Sequence, residues 1–190
     1  FFENDKHGTG HITYQDGTEY TGIWYRNMMD GSGKLTHTDG EVYEGEFYEN
    51  QYQGKGRLKY SNGELYEGDF NESLFDGTGI YTYNNGNVFK GHWCKGIKAG
   101  HGKITYPNGN YYKGEWREDQ FHGTGEFLIK EPKYHTDFNY YTNIDTKWEF
   151  KITGQWVKNK IIWDNNNKTK YPTVSFSNGE SFTGTMNILS

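Results

Sequence analysis

The sequence predicts an all-β protein, an elongated, twisted, single-layer antiparallel meander of hairpins, and three observations lead there. Glycines recur in columns spaced by 23 residues, an Asn-Gly or Asp-Gly pair recurs once per period, and aromatic residues keep register with the glycines. Gly22, Gly45, Gly68, Gly91 and Gly114 form one column, and Gly31, Gly54, Gly77, Gly100 and Gly123 a second. Gly33, Gly56, Gly79, Gly102 and Gly125 follow two residues later, and Gly17, Gly40, Gly63, Gly86 and Gly109 complete the grid. Tyr20, Tyr43, Tyr66, Phe89 and Tyr112 precede the first column by two places, while Trp24, Phe47, Phe70, Trp93 and Trp116 follow it by two. A fixed period of this length marks a repeat architecture whose units are stable only when stacked on neighbours.

Each unit reads as two strands and two turns. In Gly31–Tyr43 a short run leads into Asp39-Gly40 and a second run follows; Asp16-Gly17, Asn62-Gly63, Asn85-Gly86 and Asn108-Gly109 are its equivalents. Such pairs between alternating segments signal a hairpin, because the turn needs a positive φ that glycine adopts without a Cβ clash. The other connection, Tyr48 to Gln53 for example, reads as about six variable residues. Nothing is left over for a helix. Two turns fit at Asp39-Gly40. A two-residue loop pairs Thr36 with Tyr43; a three-residue loop with a glycine bulge pairs Leu35 with Tyr43 and Gly33 with Gly45. The second collects Leu35, His37, Tyr43 and Phe47 on one face and leaves Lys34, Thr36, Val42, Glu44 and Glu46 on the other. It is preferred because it buries one face more than the other. Two strands advance a sheet by roughly 10 Å, so six units make a ribbon about 60 Å long, coiled by the natural strand twist.

Composition narrows the class. Of 190 residues, 18% are aromatic, and the mean hydropathy of −1.04 rules out a thick aliphatic core. Large rings bury on the order of 150–250 Å² each, which suits a thin sheet, and the ring face is expected to stay partly open as a groove. The single cysteine, Cys94, cannot form an internal disulfide and reads as a small, partly buried side chain. No apolar run is long enough to span a membrane, and no signal peptide is evident. A net charge of −5 with signs interspersed gives no electrostatic case for nucleic acid.

These residues resemble a known family. Tyr43-Glu44-Gly45-Glu46-Phe47 followed by Gly54-Lys55-Gly56, and Tyr112-Lys113-Gly114-Glu115-Trp116 followed by Gly123-Thr124-Gly125, are similar to the MORN (membrane occupation and recognition nexus) repeat. The resemblance implies a twisted meander of hairpins. Arrays of this family occur in junctophilins, plant-type phosphatidylinositol phosphate kinases, beside a histone-lysine methyltransferase domain, in radial-spoke heads and in protist cytoskeletal scaffolds. Three regions are expected: a regular array over 1–130, an insertion over 131–148, and divergent terminal hairpins over 149–190, where Ile152-Thr-Gly-Gln-Trp156 restores the pattern. Phe1 falls on the Trp24 column, so the register predicts that further sequence precedes it.

No catalytic or metal site is expected. Histidines 7, 11, 37, 92, 101, 122 and 135 lack ligand spacing. Glu44, Glu46, Glu67 and Asp69 read as solvated cross-strand partners of Lys and Arg. The Gly-x-Gly elements lack the helix that a phosphate-binding loop uses. The aromatic columns are the candidate site: Tyr20, Trp24, Tyr43, Phe47, Tyr66, Phe70, Phe75, Phe89, Trp93, Tyr112, Trp116 and Phe121. Met28, Met29, Tyr52, Leu74, Ile97, Phe75 and Phe121 would extend this surface along one edge of the ribbon. Three functions follow. The first is a non-enzymatic scaffold that docks an apolar helix or peptide, or a second copy, on the aromatic groove, without cofactor. It would sit in the cytoplasm, in a cytoskeletal, ciliary or membrane-adjacent assembly. The second is a phospholipid-binding module, for which the basic column Lys34, Arg57, Ile80, Lys103, Glu126 is broken twice. The third is an accessory module of a lipid kinase or methyltransferase.

Overall fold

A glycine band organises the sheet. The computed structural model describes residues 5–130, 149–162, 173–176, 179 and 181–183, and none of these is helical. The chain divides into two compact units, 1–99 and 100–190. The first carries strands β1 (Gly8–Thr13), β2 (Glu19–Tyr25), β3 (Met28–Thr36), β4 (Val42–Tyr48), β5 (Gln51–Lys59), β6 (Leu65–Asn71), β7 (Leu74–Thr82) and β8 (Val88–Cys94). Each is antiparallel to the next. Strand β9 (Ile97–Thr105) crosses the division. The second unit continues with β10 (Tyr111–Arg117), β11 (Gln120–Lys130), β12 (Glu149–Val157), β13 (Lys160–Ile161), β14 (Thr173–Phe176) and β15 (Ser181–Thr183). Its order is again that of the chain, with β13 pairing only β12. Glycine stands opposite glycine across the first unit, in the line Gly10, Gly22, Gly33, Gly45, Gly56, Gly68, Gly79, Gly91. In the second unit the line runs Gly102, Gly114, Gly125, Gly154.

The Asp-Gly and Asn-Gly hairpins adopt the three-residue bulged turn. His37 N donates to Glu41 O (2.8 Å) and Gly40 N to His37 O (3.0 Å), with Gly40 at φ 92°. Asp39 Oδ1 accepts from Glu41 N (2.9 Å), fixing the turn from inside. The same pair of backbone bonds closes the turns at Tyr14, Tyr60, Tyr83 and Tyr106. Leu35 therefore lies opposite Tyr43 and Leu58 opposite Tyr66, as the bulged register requires.

The second connection differs from the expected six-residue loop. It is a two-residue turn with both residues at positive φ: Arg26-Asn27, Glu49-Asn50, Glu72-Ser73, Lys95-Gly96, Glu118-Asp119 and Lys158-Asn159. These are hairpin turns of the type that matches strand twist. A left-handed conformation costs a non-glycine residue roughly 1–2 kcal/mol, and hydrogen bonds to the preceding repeat offset it. Asn50 N donates to Met29 O (3.0 Å) while Asn50 Oδ1 accepts from Met29 N (2.8 Å). Ser73 holds Tyr52 in the same way, Asn27 holds Lys6, and Asn159 holds Phe121. Each of these four turns thus clamps one residue of the repeat before it.

The remaining residues of the expected loop form a bulge. Between β4 and β5 the register steps from Gly45 opposite Gly56 to Glu46 opposite Gln53, which leaves Gly54 and Lys55 out of the ladder with Gly54 at φ 60°. A carboxylate covers the bulge: Glu46 accepts from Lys55 N (3.3 Å), Asp69 from Thr78 N and Thr78 Oγ1 (both 2.8 Å), and Glu115 from Thr124 N (2.8 Å). Of these, Glu46 and Asp69 were expected to be solvated cross-strand partners of cations. Asp69 does pair with Lys55, but its bond to the bulge is what it shares with Glu46 and Glu115; Ile23 and His92 hold the same column without a carboxylate.

The terminal region follows the grid where it is described. Ile152 faces Phe127, Gly154 faces Gly125 and Trp156 faces Gly123. Residues 131–148 lie outside the described residues; their flanks Lys130 and Glu149 face each other and form an ion pair at 3.1 Å. His135 and Pro172 also lie outside the described residues.

Three outcomes test this account. A Cβ on Gly68 would lie 2.5 Å from both Gly79 Cα and Thr78 O, rigid backbone that cannot give. Gly68→Val is expected to cost about 2–4 kcal/mol in urea denaturation. Gly63→Ala, with open space but a positive φ, is expected to cost about 1–2 kcal/mol. The Lys55 ammonium, hydrogen-bonded to Asp69, holds the Asp69 carboxyl below the usual range, and the Thr78 bonds add to this against the opposing effect of burial. A lowered folded pKa contributes stability that is complete above the unfolded value of about 3.9 and lost as pH falls through the folded one. The stability difference between wild type and Asp69→Asn is therefore expected to shrink as pH is taken from about 5 to below about 3.

Candidate functional site

The ring columns are sandwiched. Tyr20, Tyr43, Tyr66 and Tyr112 are wholly buried. One ring face lies on the glycine band, so a Cβ at Gly33, Gly56, Gly79 or Gly125 would run into the ring. Each hydroxyl donates to the carbonyl three residues on: Ile23 (2.9 Å), Glu46 (2.8 Å), Asp69 (2.9 Å) and Glu115 (3.0 Å). The other ring face is covered by the clamped residue of the same repeat. Tyr52 stacks on Tyr43 with centroids 3.7 Å apart, Phe75 on Tyr66 at 3.7 Å and Phe121 on Tyr112 at 3.8 Å. Phe47 and Phe70 meet Tyr43 edge-on at 5.0 and 5.1 Å, a favoured geometry for aromatic pairs. Burial pushes the Tyr20 hydroxyl up to about 12 and the other three higher, so all four are neutral donors in any ordinary buffer.

This closes the groove expected on the columns. Tyr20, Trp24, Tyr43, Phe47, Tyr66, Phe70, Phe89, Trp93, Tyr112 and Trp116 are all buried, and Phe75 and Phe121 are half-buried lids. The reason is a further column, 23 residues apart, that the sequence reading did not separate: Lys6, Met29, Tyr52, Phe75, Lys98, Phe121. Its chemistry varies, so only its spacing could have revealed it. Met28 and Leu74 belong elsewhere: they pair with Tyr25 and Asn71 and alternate with the lids, which puts them on the opposite face. Cys94 is exposed, since it follows inward-facing Trp93.

The repeat that begins at Phe89 departs from the rest. Phe89 brings no hydroxyl, and Lys98 takes the lid position. Its ammonium lies 5.5 Å from the Tyr83 ring centroid and 5.6 Å from those of Phe89 and Trp93.

What remains accessible is the margin of this face along the bulged hairpins. In the first unit it carries Tyr14, His37, Tyr60 and Tyr83 at 23-residue spacing, with Tyr81 beside them. Tyr81 Oη donates to Glu64 Oε2 (2.8 Å), and its ring lies 6.2 Å from Tyr60 and 4.5 Å from Tyr83. His37 Nε2 is 3.4 Å from Tyr52 Oη. Burial, and then the nearby Glu41, push Tyr52 up to about 12 and raise Tyr60. The second unit has Tyr106 on this margin, 6.3 Å from Phe127. Among the described residues no group of three His, Cys, Asp or Glu is placed to hold a metal ion, and no helix is long and apolar enough to cross a membrane.

Comparison with known proteins agrees with this architecture. Six consecutive matches to the MORN repeat cover residues 1–19, 20–42, 43–64, 66–88, 89–111 and 112–129. The chain belongs to the MORN repeat family. Every buried tyrosine described above lies in one of these matched MORN units. No curated protein matches the chain. Among solved structures, it is similar to the SAS-4 (dCPAP) TCP domain in complex with a proline-rich motif of Ana2 (dSTIL) of Drosophila melanogaster. The identity is 16%, with 94% of this chain and 90% of that chain covered and a TM-score of 0.40. It is also similar to the G-box domain of the microcephaly protein CPAP, at 12% identity, 95% and 100% coverage and a TM-score of 0.27. Both scores lie below the level at which a shared fold follows.

Lid and margin are expected to respond differently to truncation. Phe75→Ala strips the cover from Tyr66 and is expected to cost about 3 kcal/mol. Tyr60→Ala, at the half-buried margin, is expected to cost about 1 kcal/mol or less. Guanidinium denaturation of both variants checks the contrast.

Proposed function

We propose that this MORN array is a non-enzymatic protein-interaction scaffold that docks a partner segment on the tyrosine margin of its lidded face. The observation that carries this reading is the row of half-buried aromatic side chains, Tyr52, Tyr60, Tyr81 and Tyr83, standing on a sealed ring core. Rings fixed on a rigid base present large contact area without an ordering cost, which is how interface anchors work. The partner-binding role first assigned to the ring columns moves, in this proposal, to the margin beside them, with Phe75 and Phe121 as supports. The setting we propose is a cytoskeletal, ciliary or membrane-adjacent assembly, as in other arrays of the family.

Lipid binding is the weaker reading because the outer face spends its basic residues on local pairs. Arg57 is 3.2 Å from Glu67, and Lys34 stands opposite Glu44. Lys103 lies 4.0 Å from the Tyr111 ring centroid.

Selection of displayed random dodecapeptides against the chain tests the proposal. Enriched peptides are expected to bind at least about tenfold more weakly to Tyr60→Ala/Tyr83→Ala, whose loss of two anchors is worth 1.4 kcal/mol or more, and normally to Arg57→Ala. Peptides indifferent to the margin changes would overturn the docking face. Sedimentation with anionic vesicles that is lost on changing Lys34, Arg57 and Lys103 would favour the lipid module instead.

A further inference from the structure

The two faces of the first unit treat their carboxylates differently. On the outer face Glu67 pairs with Arg57, and on the bulge Asp69 pairs with Lys55. On the lidded face Glu41 and Glu64 stand in the strand-end positions opposite His37 and Tyr60. Among the described residues neither forms an ion pair with Lys or Arg. Glu64 accepts instead from Tyr81 Oη (2.8 Å) and Asn84 N (3.4 Å), contacts that orient the carboxylate without neutralising it. Val42 stands opposite Lys59 and Tyr60 N donates to Glu64 O (2.9 Å), so Tyr60 lies between the positions that carry the two carboxylates. Around Tyr60 the margin therefore combines ring faces with two carboxylates, Glu41 and Glu64, one 23-residue step apart; the same column reads Thr18, Asn87 and Asn110 in the other repeats.

Resting on the docking reading above, we propose that the partner inserts an arginine at Tyr60, between Glu41 and Glu64. A guanidinium suits this place better than an ammonium: its plane stacks on a tyrosine ring while its N–H fork reaches a carboxylate. Its weaker hydration also lowers the cost of leaving water. The occupant is thus an extended segment carrying arginine, with the chain running across the strand ends so that one side chain drops between two hairpins. An apolar helix would leave both carboxylates covered and unpaired, a costly arrangement.

The test uses the full chain and three synthetic heptapeptides, Gly-Ser-Gly-X-Gly-Ser-Gly, with X arginine, lysine or citrulline, followed by NMR at millimolar peptide. The arginine peptide is expected to shift the resonances of Tyr60 and Tyr81 and to bind at least about fivefold more tightly than the lysine peptide. The citrulline peptide, isosteric but neutral, is expected to give no saturable shift. Glu41→Gln/Glu64→Gln, with an unchanged thermal midpoint, is expected to abolish the arginine shifts. Equal binding of arginine and citrulline peptides at Tyr60 would overturn the arginine assignment while leaving the docking face standing. Absence of any shift at the margin, or shifts unchanged in the double variant, would overturn it as well. Arginine-free sequences dominating the selected dodecapeptides, while still sensitive to Tyr60→Ala/Tyr83→Ala, would separate the two readings from the opposite side.

Discussion

A tyrosine ring lying flat on two opposed glycines is the contact on which the rest of the sheet depends. Tyr43 covers Gly45 and Gly56, and only residues without a Cβ let the ring come so close to the backbone. The hydroxyl then reaches the carbonyl of Glu46, so a wholly buried polar atom is satisfied. A thin sheet has no second layer to fill, and the ring supplies one from within its own strand. The glycine band pays for this in unfolded-state entropy, which the buried rings must exceed.

The lid makes the arrangement self-sufficient. A ring with one bare face would invite association with another sheet. Tyr52, Phe75 and Phe121 remove that face from water, and the following turn holds each of their backbones. The bulge follows from this. Because Tyr52 is bonded to Ser73 and not laddered to β6, the strand must step aside after it, and Gly54 absorbs the step with Glu46 closing over it. Turn, lid, bulge and covering carboxylate are one mechanical unit. In the repeat of Phe89 a cation, Lys98, stands at the lid position and His92 replaces the carboxylate.

Much of this was legible in residue spacing. Asp39-Gly40 and the polar split around it led to the three-residue turn and to Leu35 opposite Tyr43. The glycine columns led to rings packed on backbone. The two-residue turns escaped because Glu49-Asn50 and Glu118-Asp119 carry no glycine where positive φ is needed. Gly96, the one glycine off the grid in the regular region, stands in such a turn and was the available sign. The lids escaped because Met29, Tyr52, Lys98 and Phe121 share no chemistry, only a position. Without the lids the groove had to be read as open.

The clamp has a consequence for how such a chain changes over generations. Asn50 grips Met29 and Ser73 grips Tyr52 through identical backbone atoms, so the partner of any lid is defined by position alone. Excising residues 43–65 as a block would bring Ser73 to Met29 in the place Asn50 had held, and the sheet would reclose one hairpin pair shorter. Removing a number of residues that is not a multiple of 23 would set lid against strand and ring against side chain. Length is therefore inherited in whole units, and duplication or loss of a unit is a gentler event than a single-residue indel inside one.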